Sequence, residues 1–251
     1  MLCSVLARRP VAFALVLVAS SCVAPSRSRP DVGAVLAEVA DTVEEHFYDP
    51  ARLPAFRAAR PAAEARARRG ELSAAVNEWL ATLGASHTEF RTRAEPRAWE
   101  LADVFWEALP SPARERAFGA HGPVLEGIGL VLGEHADEAF VRGVLEGSPA
   151  ERAGVQVGER PLASEGAPFR AVDSWRGRAD RATRLRLRSP AGVEREIVVV
   201  PDALAPKARY LAALRASARV TELDGKRLAY VHVWSYAGEE VQATLEELLL
   251  D

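Results

Sequence analysis

Ser86-His87-Thr88 follows Gly84 at the end of an apolar helical stripe, and it is the triplet in which acid–base chemistry is best placed. Histidine changes charge nearest to neutral pH, with an unperturbed pKa of about 6.5, so a positioned imidazole can take a proton from a serine hydroxyl. The chain has five histidines. A histidine in a loop is also commonly structural, so the triplet alone leaves both roles open for His87. His46 ends a helix and is expected to pack or cap there. His121, His135 and His232 have no metal-ligand spacing among themselves, and the sequence contains neither HExxH nor CxxC, so no metal is expected. Gly127-Ile128-Gly129 lacks the third glycine and the long following helix of a dinucleotide site, and no cofactor is expected. Ser148, Ser189 and Ser217 lie outside any Gly-x-Ser-x-Gly context, and Ser235, at the end of a strand, is read as structural.

These residues need a scaffold, and the composition allows one. The 251 residues are 49% hydrophobic and 27% charged with a net charge of −3, which gives no reason to expect nucleic acid as a partner. Arg8-Arg9 followed by the apolar run Val11–Ala19 reads as an export signal over residues 1–22. The run is too short for a bilayer, which needs about 20 residues. Ala19-Ser-Ser-Cys22 resembles a lipobox, so Cys22 is either the lipid-bearing residue, giving a membrane contact through the anchor alone, or a bystander to simple cleavage and secretion. The expected location is the periplasm or cell envelope. Residues 23–30 form a polar tether. With Cys3 removed with the signal, no intramolecular disulfide is available.

Helical spacing over Asp31–Phe47, Leu53–Arg69 (interrupted by Pro61), Leu72–Leu83 and Trp99–Leu109, with a short helix from Ser111-Pro112, predicts a helical domain over 31–121. From 122 the pattern changes. Strands are predicted at Ile128–Leu132, Ala139–Leu145, Thr183–Arg188 and Glu194–Val200, with short helices at Ser148–Gly154 and Val172–Arg178. This describes a compact, partly open barrel over 122–203. After a linker at Pro201–Pro206, Arg219–Leu223 and Arg227–Trp234 form a hairpin about Asp224-Gly225, and a helix begins at Gly238, within a third segment 204–251. The fold class is α+β, multidomain.

The middle segment resembles a PDZ domain of the bacterial protease-associated type, in Gly127–Leu132, Ser148–Glu159 and Arg176–Gly192. That resemblance implies a loop whose N–H groups face a peptide's terminal carboxylate, with the peptide added as a strand. Ile128, Gly129 and Leu130 are then the carboxylate and side-chain contacts, and Val172 and Trp175 the pocket walls. Gly127 and Gly129 could instead serve only a tight turn. The family's Gly-Asp is Gly158-Glu159 here, followed by Pro161, which restricts pairing of that strand.

The flanks extend the likeness. His46–Pro50 (HFYDP), the leucine-glycine before Ser86–Phe90 (SHTEF), and Asp224–Tyr236 (DGKRLAYVHVWSY) resemble, in order, parts of the carboxyl-terminal processing (tail-specific) serine proteases, tricorn-like branch. The resemblance implies an α/β protease domain opening with the hairpin and helix. It also implies His87 as general base, Ser86 as a supporting or oxyanion-side group, and proteolysis of proteins captured by their C-terminal tails. The usual Asp before the Ser is Ala85. In that family the nucleophile follows later segments, so the chain is expected to be truncated before it and inactive alone. The alternative is a non-enzymatic PDZ-bearing lipoprotein that binds protein tails.

Overall fold

The computed structural model describes residues 31–86, 88–109, 111–135 and 138–250. The export signal, the tether, Cys22 and His87 lie outside the described residues. The chain divides into two compact units, the first ending at Ala85 and the second beginning at Ser86.

The first unit is three helices: α1 (Val32–His46), α2 (Leu53–Arg68) and α3 (Leu72–Ala81). Asp31 caps α1 by accepting from the Gly33 and Ala34 amides. Each helix turns one apolar stripe inward: Leu36, Ala40 and Val43; Leu53, Phe56, Ala63 and Ala67; Ala75, Val76, Trp79 and Leu80. At the centre the Phe56 and Trp79 rings stack at 4.3 Å, and the Trp79 indole N–H donates to the Phe56 carbonyl at 2.7 Å. Pro61 does not interrupt α2, contrary to the sequence expectation. A mid-helix proline costs roughly 3 kcal/mol, and the buried stripe on either side of it supplies the opposing burial energy.

The second unit begins with α4 (Pro96–Val104), a 3₁₀ turn at Trp106–Ala108 and α5 (Ser111–Phe118). Then come β1 (Leu125–Gly127), β2 (Leu130–His135), β3 (Glu138–Val144), α6 (Pro149–Arg152), β4 (Arg160–Ser164), β5 (Ala167–Pro168), β6 (Thr183–Arg188), β7 (Glu194–Val199) and β8 (Asp202–Leu204). The chain continues through α7 (Pro206–Ser217), β9 (Arg219–Leu223), β10 (Lys226–Tyr230) and α8 (Glu239–Leu250). All pairings are antiparallel: β5-β4-β6-β7 form a four-stranded sheet, and β2 with β3, β1 with β8 and β9 with β10 form two-stranded ribbons. The barrel is therefore open. Its core gathers Ile128, Val141, Ala150, Val155, Trp175, Leu185, Leu187 and Val199.

Several local outcomes differ from the sequence reading, each for a physical reason. The second short helix shrinks to a 3₁₀ turn, Asp173–Trp175, because Gly177 is left-handed (φ +69°) and the Trp175 side chain is drawn into the core. Pro161 is accommodated: β4 pairs with β6 through a bulge between Pro161 and Ala163. Glu159 is buried and grips Arg195 with both oxygens, at 2.7 and 2.8 Å, while accepting from the Gln156 amide. That bonding holds its carboxyl below the usual range, the Arg195 guanidinium contributing most. The stretch expected to be a linker holds β8, and the helix α7 behind it is not apparent in the sequence pattern. The hairpin strand expected to reach Trp234 ends at Tyr230, because the residues beyond turn away to other partners.

Candidate peptide-binding site

The loop that leads into β2 is built so that its carbonyls face inward. The Ile128 carbonyl accepts from the Ala150 amide at 2.8 Å and the Gly129 carbonyl from the Leu145 amide at 2.9 Å. No described residue accepts from the Ile128 or Gly129 amides, so these are the groups available to an anion. Gly129 has φ +83°, and a Cβ there would lie 2.3 Å from the Ser148 Cβ, so only glycine fits. Ser148 in turn caps α6 through the Glu151 amide. The glycine is thus required by close packing as well as by the turn.

The expected contact residues take different places. The Ile128 side chain is buried in the core, leaving only its backbone for a ligand. Leu130 is partly buried, packs on the core and lines the cavity beside β2. Trp175 is buried, packs edge-on against Phe169 at 5.9 Å, and borders the small cavity at the Gly127–Leu130 loop. Val172 is buried, while its neighbour Ala171 borders both cavities.

The second edge of β2 pairs with no strand among the described residues. It fronts a cavity of about 790 Å³, opposite Glu100 of α4, Tyr210 of α7 and the segment Trp234–Ala237. The Tyr210 hydroxyl donates to Glu100 at 2.7 Å; burial and then the Glu100 charge push its pKa well up, so it stays a donor at neutral pH.

Glu146, which sequence reasoning did not single out, joins the loop to the segment after β10. Its two oxygens accept from His232 Nδ1 at 2.7 Å and from the Trp234 indole N–H at 2.6 Å. Burial raises the Glu146 pKa, but the Trp234 and His232 bonds outweigh it and hold the carboxyl below its usual range. The His232 amide donates to Ser217 Oγ at 2.8 Å, which explains why the β10 ladder stops short. The Trp234 ring packs against Gly143, where a Cβ would sit 2.5 Å from it. A lone glycine inside a strand was the available sequence signal for that close approach.

In the first unit, the chain leading to Ser86 is fixed from upstream. Asp49 accepts from the Ala51 amide and pairs with Arg52 at 2.9 Å. The Arg52 guanidinium donates to the Leu83 and Gly84 carbonyls at 2.9 and 3.0 Å. The Tyr48-Asp49-Pro50 stretch and the leucine-glycine are therefore physically tied, through Arg52, whose position carries no motif or periodic signal. Ser86 itself is exposed. Among the described residues, no group of three or more His, Cys, Asp or Glu could hold a metal, and no helix is long and apolar enough to cross a membrane.

No protein-family model and no curated protein matches the chain. Among solved structures, it is similar to a photosystem II D1 C-terminal processing protease, at 16% identity and TM-score 0.42, over 88% of this chain and 57% of that one. It is also similar to the PDZ domain of a carboxy-terminal protease from Vibrio cholerae in complex with a peptide, at 23% identity and TM-score 0.26, over 32% and 97%. A tricorn protease matches at 14% identity and TM-score 0.33, over 74% and 18%. The chain thus spans 57% of the length of the first of these.

Proposed function

We propose that this chain carries the tail-capturing PDZ module of a serine-type peptidase of the tail-specific family, exported to the periplasm or cell envelope. The observation that carries the reading is the unpaired β2 edge beside an open cavity, headed by a loop whose free amides sit at a glycine that nothing else can replace. An extended peptide added to that edge gains main-chain hydrogen bonds, and its terminal carboxylate meets the Ile128 and Gly129 amides. The order of the His46–Pro50, Ser86–Phe90 and Asp224–Tyr236 motifs around this module supports the peptidase assignment. In that assignment His87 is the general base, Ser86 supports it, and the chemistry is hydrolysis of a peptide bond without a metal or cofactor. Export is supported by Arg8-Arg9 and the apolar run behind them, with Cys22 as the residue that would bear a lipid.

Tail capture is tested by fluorescence anisotropy of the full chain with a peptide ending in an apolar residue, as free acid and as amide. The free acid should bind at least about tenfold tighter, since the amide loses the charge-assisted hydrogen bonds at the loop. Equal binding of the two forms would remove the assignment.

A further inference from the structure

Side chains of an added strand alternate between the two faces of the ribbon it joins. On β2, Leu130 and Leu132 pack toward the core, which places Val131 on the opposite face. A strand running antiparallel to β2 with its C-terminal residue opposite Leu130 sets its penultimate side chain opposite Val131. In an ordinary two-stranded ribbon that face is open to solvent. Here Trp234 covers it, seated on Gly143, the residue paired with Val131. Between Val131 and Leu132 the pairing slips, because Gly143 opposes the first and Val141 the second, leaving Arg142 as the bulged residue. Val141 is fully buried and Arg142 exposed, so the bulge turns the guanidinium to the face that Trp234 covers.

The charges in the cavity are unevenly satisfied. Glu95 is held by Arg91 and by the Thr92 amide, and Glu100 by Tyr210 and Arg97. Arg142 has no hydrogen-bond or ion-pair partner among the described residues, and the Lys207 ammonium, which also lines the cavity, has none either. Glu134 lines it too, but by alternation it lies on the face of Leu130 and Leu132, away from Arg142.

We propose that Arg142 makes this site select protein tails with an acidic side chain at the penultimate position. The proposal rests on the tail-capture reading and adds a substrate class to it. The tail's carboxylate is read by the loop, its last side chain lies toward the core, and its penultimate carboxylate lies between the indole of Trp234 and the guanidinium of Arg142.

The test uses the full chain and three free-acid peptides that share an apolar last residue and differ only in a penultimate Glu, Gln or Lys. The Glu peptide should bind about two- to fivefold tighter than the Gln peptide, the range of a partly exposed ion pair, and the Lys peptide weakest. The spread should narrow as salt is added. Arg142→Gln should bring the three peptides together, and Arg142→Glu should reverse their order, with circular dichroism confirming that both variants fold. Equal binding of the Glu and Lys peptides by the unaltered chain, or an order that survives Arg142→Gln, overturns the proposal. Carboxylate-dependent binding with no order among the three sinks this proposal alone. Indifference to amidation sinks the tail-capture reading and this one with it.

Discussion

Two hairpins in the second unit have the same antiparallel pairing and differ in what stands behind them. In β6–β7, Thr183, Leu185 and Leu187 are buried and alternate with Arg184, Arg186 and Arg188 on the outer face, where Glu194 meets Arg188 at 2.8 Å. In β9–β10 every residue is exposed, and Val220, Leu223, Leu228 and Tyr230 stand among the exposed large apolar side chains. Backbone pairing is equally regular in both. Register and hydrogen bonds therefore do not distinguish a structural hairpin from a surface one; burial of one face does. The exposed ribbon is held by its turn and by local contacts such as the Arg219 guanidinium over the Tyr230 ring at 4.2 Å.

The contrast can be broken by mutation. Leu187→Ala removes a fully buried side chain and should cost about 2–5 kcal/mol in urea unfolding; a cost below about 1 kcal/mol would mean that the β6–β7 face is not what holds the unit together. Glu159→Gln, which loosens the anchor between the α6–β4 turn and Arg195 of β7, should cost about 1–3 kcal/mol at pH 7. Its pH dependence has a definite sign. The folded pKa of Glu159 is lowered, so its contribution is fully present above the unfolded value of about 4.3 and is lost as pH falls through the folded one. The difference between the two proteins should therefore shrink in acid, and a difference constant down to pH 2 would assign the effect to packing. Val220→Ala and Leu228→Ala in the exposed ribbon should each change stability by no more than about 0.5 kcal/mol, and a larger loss would show that the ribbon buries surface in solution.

The same contrast explains what could be read in the sequence. β6 alternates perfectly, and its bounds were legible to the residue; so were those of β9, whose turn is set by Asp224-Gly225. α6 announced itself through the Ser148 cap and Pro149. α7 did not, because its buried side is only Pro206, Ala213, Leu214 and Ser217, set among lysine and arginines, which leaves no stripe of large apolar residues to detect. The tight turn into β2 was legible from its glycines, but not the inward turn of Ile128, which depends on Ala150 some twenty residues later. Glu146 and Trp234, and Arg52 and Gly84, meet only in three dimensions, between residues that have no periodic relation.

Arg52 shows how far such a contact reaches. The direction in which the chain leaves α3 is set by a guanidinium more than thirty positions upstream, itself steered by Asp49. A screen for variants with an altered chain path after α3 would therefore recover some with no altered residue in the Ser-His-Thr triplet. The lesion would sit at position 49 or 52, and a second-site suppressor would be expected at the other end of that contact rather than beside the histidine.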